Sequence, residues 1–279
     1  MDYRQLTDPR FGECLYATNG IVEMYIPLTY GIRIAHFSFC GGQNVFWEQP
    51  KDMTILTTPE GWRIRGGHRL WVSPEDERAY FPDCAPIDYR IDGNIIVLTQ
   101  PEDTWQKVIK QMEITFGEDA SVQIRHRIQN TDTKERCCAL WPISVMAPGG
   151  TEHIPLMRYD NGYTNSHWIS LWSYTHMGDK RATYLEDEIV LTHDPEILQP
   201  HFKIGISRLN GPAWYENDGV IFEKDFAVTE NVPYPDNNIS YETFLSAYMT
   251  ELESLSPLYN IAPGQCREHT ETWRLRKGE

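Results

Sequence analysis

The chain has 279 residues, 41% of them hydrophobic and 12% aromatic, with a formal net charge of -15. That length and apolar content are enough for a substantial buried core and argue against disorder. Nucleic-acid phosphates and anionic membrane surfaces repel so acidic a chain, which leaves neutral or cationic small molecules as partners, or an anion held in a local basic pocket.

The chain begins MDYRQLTDPRFGE, with neither a basic start nor an apolar core, so no signal peptide is read there. No stretch approaches the ~20 apolar residues of a membrane span. The six cysteines, at 14, 40, 84, 137, 138 and 266, follow no metal or disulfide spacing. Free thiols in a cytoplasmic protein are the expectation. Cys137 and Cys138 are adjacent, so a strand would send them to opposite faces, and they make a poor chelate.

In chain order, residues 19–50 alternate around Pro27 and a Gly31-Ile32-Arg33-Ile34 segment, and end in Asn44-Val45-Phe46-Trp47. Arg33 is read as a partner in a structural ion pair. Residues 66–75, GGHRLWVSPE, place His68, Arg69 and Trp71 directly after two glycines that permit positive φ. Asn94 to Thr99 reads as a strand introduced by Asp92-Gly93. Val122, Ile124, His126 and Ile128 alternate with Gln123, Arg125 and Arg127, the pattern of a half-buried strand. Turn residues Asn130 to Thr133 follow, then an apolar run from Cys138 to Val145, which together predict a hairpin.

His153, between Gly149-Gly150 and Pro155, is placed in a loop. Glu186-Asp187-Glu188 reads as a solvated turn, and residues 193–200 hold one helical turn at most. Lys203 and Lys224 stand among apolar residues. An inward lysine would need a carboxylate or an anionic ligand, so both are expected to point outward. Thr243 to Glu253 and Glu268 to Leu275 read as two strands separated by Pro257 and Pro263-Gly264. Proline and glycine are spread evenly and no linker interrupts the chain. Residues 1–279 are therefore expected to form a single all-β domain, a sandwich or barrel of many short strands. No phosphate loop, H-E-x-x-H, paired C-x-x-C or G-x-S-x-G occurs. The sequence carries no signal for an oligomeric state.

Three stretches together resemble the galactose-mutarotase-like superfamily, and aldose-1-epimerase-like proteins within it. Residues 19–50 are similar to its N-terminal Gly-x-Arg-Ile hairpin. Residues 66–75 are similar to its groove-lining glycine pair followed by an aromatic residue and a proline. Glu251-Leu252-Glu253, Pro263-Gly264 and Glu271 to Leu275 are similar to its late strand with the catalytic base, its turn and its last strand. The resemblance implies a large multi-stranded β-sandwich, the supersandwich of that superfamily, and a small-molecule carbohydrate as substrate. Only protons move in that chemistry, so neither cofactor nor metal is implied. The base would be Glu251 or Glu253, which alternation sends to one face of a strand. Arg69, Glu253, Trp71 and Trp141 would bind substrate.

One departure stands out. The epimerases place an acidic His on the strand after the Asn130-Thr131 turn, where this chain has Trp141-Pro142. His68, or else His153, would have to supply the proton; His68 is the expected acid. The resulting expectation is an isomerase that opens and recloses a sugar ring by acid/base catalysis. Two alternatives stand beside it: a catalytically silent sugar-binding protein with Trp141 as stacking platform, and a lyase or hydrolase of uronate-containing glycans.

Overall fold

The computed structural model describes residues 1–53, 57–158 and 160–278. Strands dominate. Among the described residues, helical turns are confined to Glu77–Tyr80 and Pro235–Asn238. The fold is a large β-sandwich, as the alternation predicts, and all its strand pairs are antiparallel. A ten-stranded sheet runs from Ala182–Tyr184 at one edge to Asp88–Asp92 at the other, with Val220–Phe226, Cys266–Lys277 and Ser121–Asn130 near its middle. The facing eight-stranded sheet orders Ile169–Leu171, Phe202–Ile206, Tyr241–Leu245, Thr250–Ser254, Arg136–Met146, Gly67–Ser73 and Arg33–Ile34, with Tyr259–Ile261 also paired to Arg136–Met146. A four-stranded N-terminal sheet, Asp2–Asp8, Gly12–Thr18, Val22–Pro27 and His36–Phe39, adds to the same core. At its centre Phe37, Phe46, Phe222 and Trp273 pack tilted or edge to face, with ring centroids 5.5 to 6.3 Å apart.

Several sequence expectations are corrected. Ser121–Asn130 and Arg136–Met146 are strands, but they do not form a hairpin. The Asn130 amide donates to the carbonyls of Lys134 and Ile261 (2.8 Å each). The turn thereby carries the chain from the ten-stranded sheet to the eight-stranded one. Thr243 to Glu253 is two strands, Tyr241–Leu245 and Thr250–Ser254, paired with each other. Their turn is closed by Ser246 N–H to Met249 O at 3.1 Å and by the Ser246 hydroxyl, without glycine, proline or asparagine to announce it. His153 lies in the Thr151–Pro155 strand, stacked on Trp214 and 3.0 Å from Glu188, rather than in a loop. All six cysteines are free, and Arg33 pairs with Asp83 at 3.3 Å. No helix among the described residues is long and apolar enough to cross a membrane.

The interior carries a stripe of polar residues. Glu152 is fully buried; its carboxyl accepts from the Tyr241 hydroxyl at 2.6 Å and the Thr243 hydroxyl at 2.5 Å. Burial pushes its pKa from an ordinary 4.5 up to about 8. Between those values the folded chain holds a proton that the unfolded chain has lost. Stability therefore falls as pH rises, by about 1.4 kcal/mol per unit, and levels off above the folded pKa. Glu152→Gln should abolish this component. In urea denaturation the variant's stability relative to wild type should climb from pH 5 to pH 8 and then hold. A difference independent of pH would rule out a protonated Glu152.

Candidate functional site

The eight-stranded sheet has an inner face on the core and an outer face that is concave. The pleat sends Arg69 and Trp71, Trp141 and Ile143, Glu251 and Glu253, Glu242 and Phe244, and Lys203 to the outer side. Register aligns them in rows. Trp71 is opposite Trp141; Arg69, Ile143, Glu253, Glu242 and Gly205 form the next row; Val145, Glu251, Phe244 and Lys203 form the one after. Glycine at 66 and 67 is required here. Both have positive φ, and a Cβ at either would collide with the carbonyl of Trp47 or of Ile34. The buried Arg33 guanidinium donates to the carbonyls of Ile64, at 2.9 Å, and of Gly66, fixing the segment that leads into the Arg69 strand.

Charged side chains then bond diagonally between the rows. Arg69 Nη2 donates to Glu251 Oε1 at 3.0 Å, and its guanidinium lies 4.6 Å from the Trp71 ring centroid. Lys203 Nζ lies 2.7 Å from Glu242 Oε2 and 3.0 Å from Glu253 Oε2. Trp141 Nε1 donates to the same Glu253 oxygen at 2.7 Å. The Lys203 ammonium sits over the rings of Trp141 and Trp172, 4.7 and 4.8 Å from their centroids. Burial opposes its charge, but Glu253 and Glu242 outweigh burial and hold its pKa above the usual lysine value. Burial raises Glu253, with Glu251 adding to the rise and Lys203 working against it, and burial also holds Glu242 well above the ordinary range. The Glu242–Glu253 pair therefore takes up a proton more readily than free carboxylates do.

Over this floor lies a groove of about 440 Å³, lined by Arg69, Glu251 and Lys203 and walled by Trp62, Trp71, Tyr80, Trp141, Trp172 and Tyr174. The rings interlock: Trp71 packs on Trp141, Trp62 and Tyr80 with centroids 5.3 to 5.7 Å apart. Ring faces with a few fixed donors and acceptors at the floor make up the usual lining of a small-molecule site. Of the residues singled out from the sequence, Arg69, Trp71, Trp141 and Glu251 meet at this groove. Glu253 lies beneath it, fully buried.

His68 does not, and its expected role as acid is corrected. It is the neighbour of Arg69 on an unbroken strand, so the pleat turns it to the inner face. There its Nδ1 is 2.9 Å from Ser144 Oγ and its Nε2 is 3.2 Å from His126 Nε2. Burial holds its pKa well below the ordinary histidine value, so the ring is neutral at pH 7 and is not the imidazolium that a general acid requires. His153 lies on the other sheet. The lysines are corrected too: both are buried, Lys203 on the outer face beneath the groove and Lys224 between the sheets. Lys224 is fully buried, and its Nζ lies 2.8 Å from Glu271 Oε1 and donates to Leu252 O at 3.0 Å and Ser144 Oγ at 3.1 Å.

His68 Nε2, His126 Nε2 and Glu271 Oε2 lie 3.2, 3.4 and 3.8 Å apart, separations compatible with ligands of one small ion. Charge speaks against it. Lys224 already neutralises Glu271, and a divalent ion would leave its full charge uncompensated in a buried site.

Sequence reasoning passed over Lys203, Glu242, Trp172 and Tyr80 as groove residues. The one signal for Lys203 was an apolar neighbourhood on both sides, which marks a strand covered on both faces.

No family model matches the sequence, and no curated protein does. Solved structures do match. A galactose mutarotase-like protein from Lactobacillus casei superposes with a TM-score of 0.60 at 11% identity, over 94% of this chain and all (100%) of the other. The fold is that of the galactose mutarotase-like proteins. A second such protein, from Clostridium acetobutylicum, gives a TM-score of 0.56 at 8% identity, over 99% of this chain and 98% of the other. The Slr1438 protein of Synechocystis sp. PCC 6803 gives 0.60 at 12% identity, over 99% and 100%. Within the mutarotase-like fold the groove described here lies on the outer face of one sheet, against strands from the middle and the end of the chain.

Proposed function

We propose that the protein binds a carbohydrate in this groove and does not catalyse ring opening. One observation carries the reading: an Arg69–Glu251 pair and a Lys203 ammonium lie on the floor of a groove walled by tryptophan and tyrosine rings. Indole faces cover the apolar face of a pyranose, while the guanidinium, the carboxylate and the ammonium hydrogen-bond its hydroxyls. Ring opening needs, besides a carboxylate base, an acid that gives a proton to the ring oxygen. No histidine lines the groove among the described residues. Tyr80, Tyr174 and Lys203, the phenols and the ammonium at the groove, hold their protons tightly. Burial pushes the Tyr174 phenol up to about 12 and raises that of Tyr80, and paired carboxylates hold up Lys203.

A mutarotase reading remains as the second, favoured by the Glu251 carboxylate facing the groove. Titration calorimetry on a panel of neutral sugars, with NMR saturation transfer between anomers, separates the two. Binding without faster anomer exchange is expected. Glu251→Gln should weaken binding by about tenfold, the worth of a charge-assisted hydrogen bond. Accelerated exchange that disappears in Glu251→Gln would establish the mutarotase instead. No binding of any sugar would end the carbohydrate reading.

A further inference from the structure

We infer that the natural ligand is a neutral oligosaccharide, with Trp105 as the platform of a second subsite; the inference rests on the carbohydrate reading above and extends it. The groove does not end at Tyr80. Thr58, Glu75 and Tyr80 line it on one side and on their other side line a second, open concavity of about 860 Å³, whose far wall is Trp105. A single sugar ring would occupy the groove and leave this neighbouring space in solvent.

Trp105 is built as a fixed platform. The residue remains 38% exposed, unusual for so large a ring on a short connecting loop. The loop itself is rigidly held. Asp103 is fully buried, and its carboxylate accepts from the backbone N–H of Trp105 at 3.1 Å and of Gln106 at 2.9 Å, and from Lys110 Nζ at 3.0 Å. Phe81, next in sequence to the shared Tyr80, packs edge-on against the indole at 5.7 Å. Aromatic faces therefore continue from Trp141 and Trp71 through Tyr80 and Phe81 to Trp105. A preorganised exposed ring binds a second sugar face at little cost in ordering.

The chemistry of the wall selects the class. Glu60, Glu75, Asp76 and Glu77 border the second space. Arg78, the one cation among its lining residues, is taken by Asp76. In a chain of net charge -15 this wall repels uronates, sulfates and phosphates and favours uncharged sugars.

The test is calorimetry at pH 7 with glucose, galactose and mannose, their linked oligomers of two to five units, and oligogalacturonates. Affinity should rise at least tenfold from the monosaccharide to the trimer of one neutral series, and oligogalacturonates should bind at least tenfold more weakly. Trp105→Ala should erase the gain with length while leaving the monosaccharide affinity as it was. Trp105→Tyr, which keeps a ring, should retain most of the gain. Monosaccharide binding as tight as that of every oligomer, or Trp105→Ala weakening all lengths alike, would overturn the second subsite and leave the groove standing. Failure of every sugar at every length would remove the carbohydrate reading and this inference with it.

Discussion

Lys224→Ala is expected to cost about 3–5 kcal/mol of stability, the loss that follows when one partner of a buried ion pair is removed. Against the 5–15 kcal/mol typical of a folded protein, that is enough to leave much of the chain unfolded on mild heating. Lys224 lies between the sheets, fully buried, with Glu271, Ser144 and the carbonyls of Pro142 and Leu252 around its ammonium. Burial pushes the Glu271 carboxyl up, but the Lys224 ammonium and the hydrogen bond with His126 outweigh it and hold the group well below the ordinary range, so it is ionised. Without the lysine a bare carboxylate is left in the core. Urea unfolding at pH 7 measures the loss. Glu271→Gln added to Lys224→Met should recover a large part of it, because the uncompensated charge is then gone. A loss under about 1 kcal/mol for Lys224→Ala would mean that the pair does not support the core.

Lys203→Met is expected to cost a comparable ~3–5 kcal/mol at pH 8 and clearly less at pH 5. The ammonium is the common partner of Glu242 and Glu253. Burial already raises both carboxyls, and removing the cation raises them further. The folded variant then binds protons that its unfolded chain has released. Its stability falls as pH climbs past the ordinary carboxylate range and is regained as pH falls and both groups neutralise. Chemical denaturation at the two pH values reads this directly. A loss of equal size at both would show that Lys203 acts through packing against Trp141 and Trp172 rather than through charge.

Much of the architecture was legible in the residues. Period-two alternation marked Ser121–Asn130, because a pleated sheet with one dry face demands it, while continuous apolar runs bounded by turn residues marked Arg136–Met146 and Ile95–Thr99. The same rule placed Glu251 and Glu253 on one face of the Thr250–Ser254 strand. Applied one step further, it also says that His68 and Arg69 cannot share a face. Two glycines before His68 announced a close backbone approach, and both glycines have positive φ there.

Pairing was not legible, since hydrogen bonds between strands join residues far apart and leave no local mark. The Asn130–Thr133 turn looks like a hairpin turn, yet it crosses between sheets because the Asn130 amide ties it to Lys134 and Ile261. The meeting of Arg69 with Glu251, and of Lys203 with Glu242 and Glu253, depends on the strand order. Burial of the two lysines was the hardest to foresee. A lysine among apolar residues reads as outward when one face of its strand is taken to be wet. The Phe202–Ile206 strand is buried along its whole length, so Lys203 keeps only a small exposure at the groove floor, and the carboxylates that the fold brings beside it make its charge tolerable.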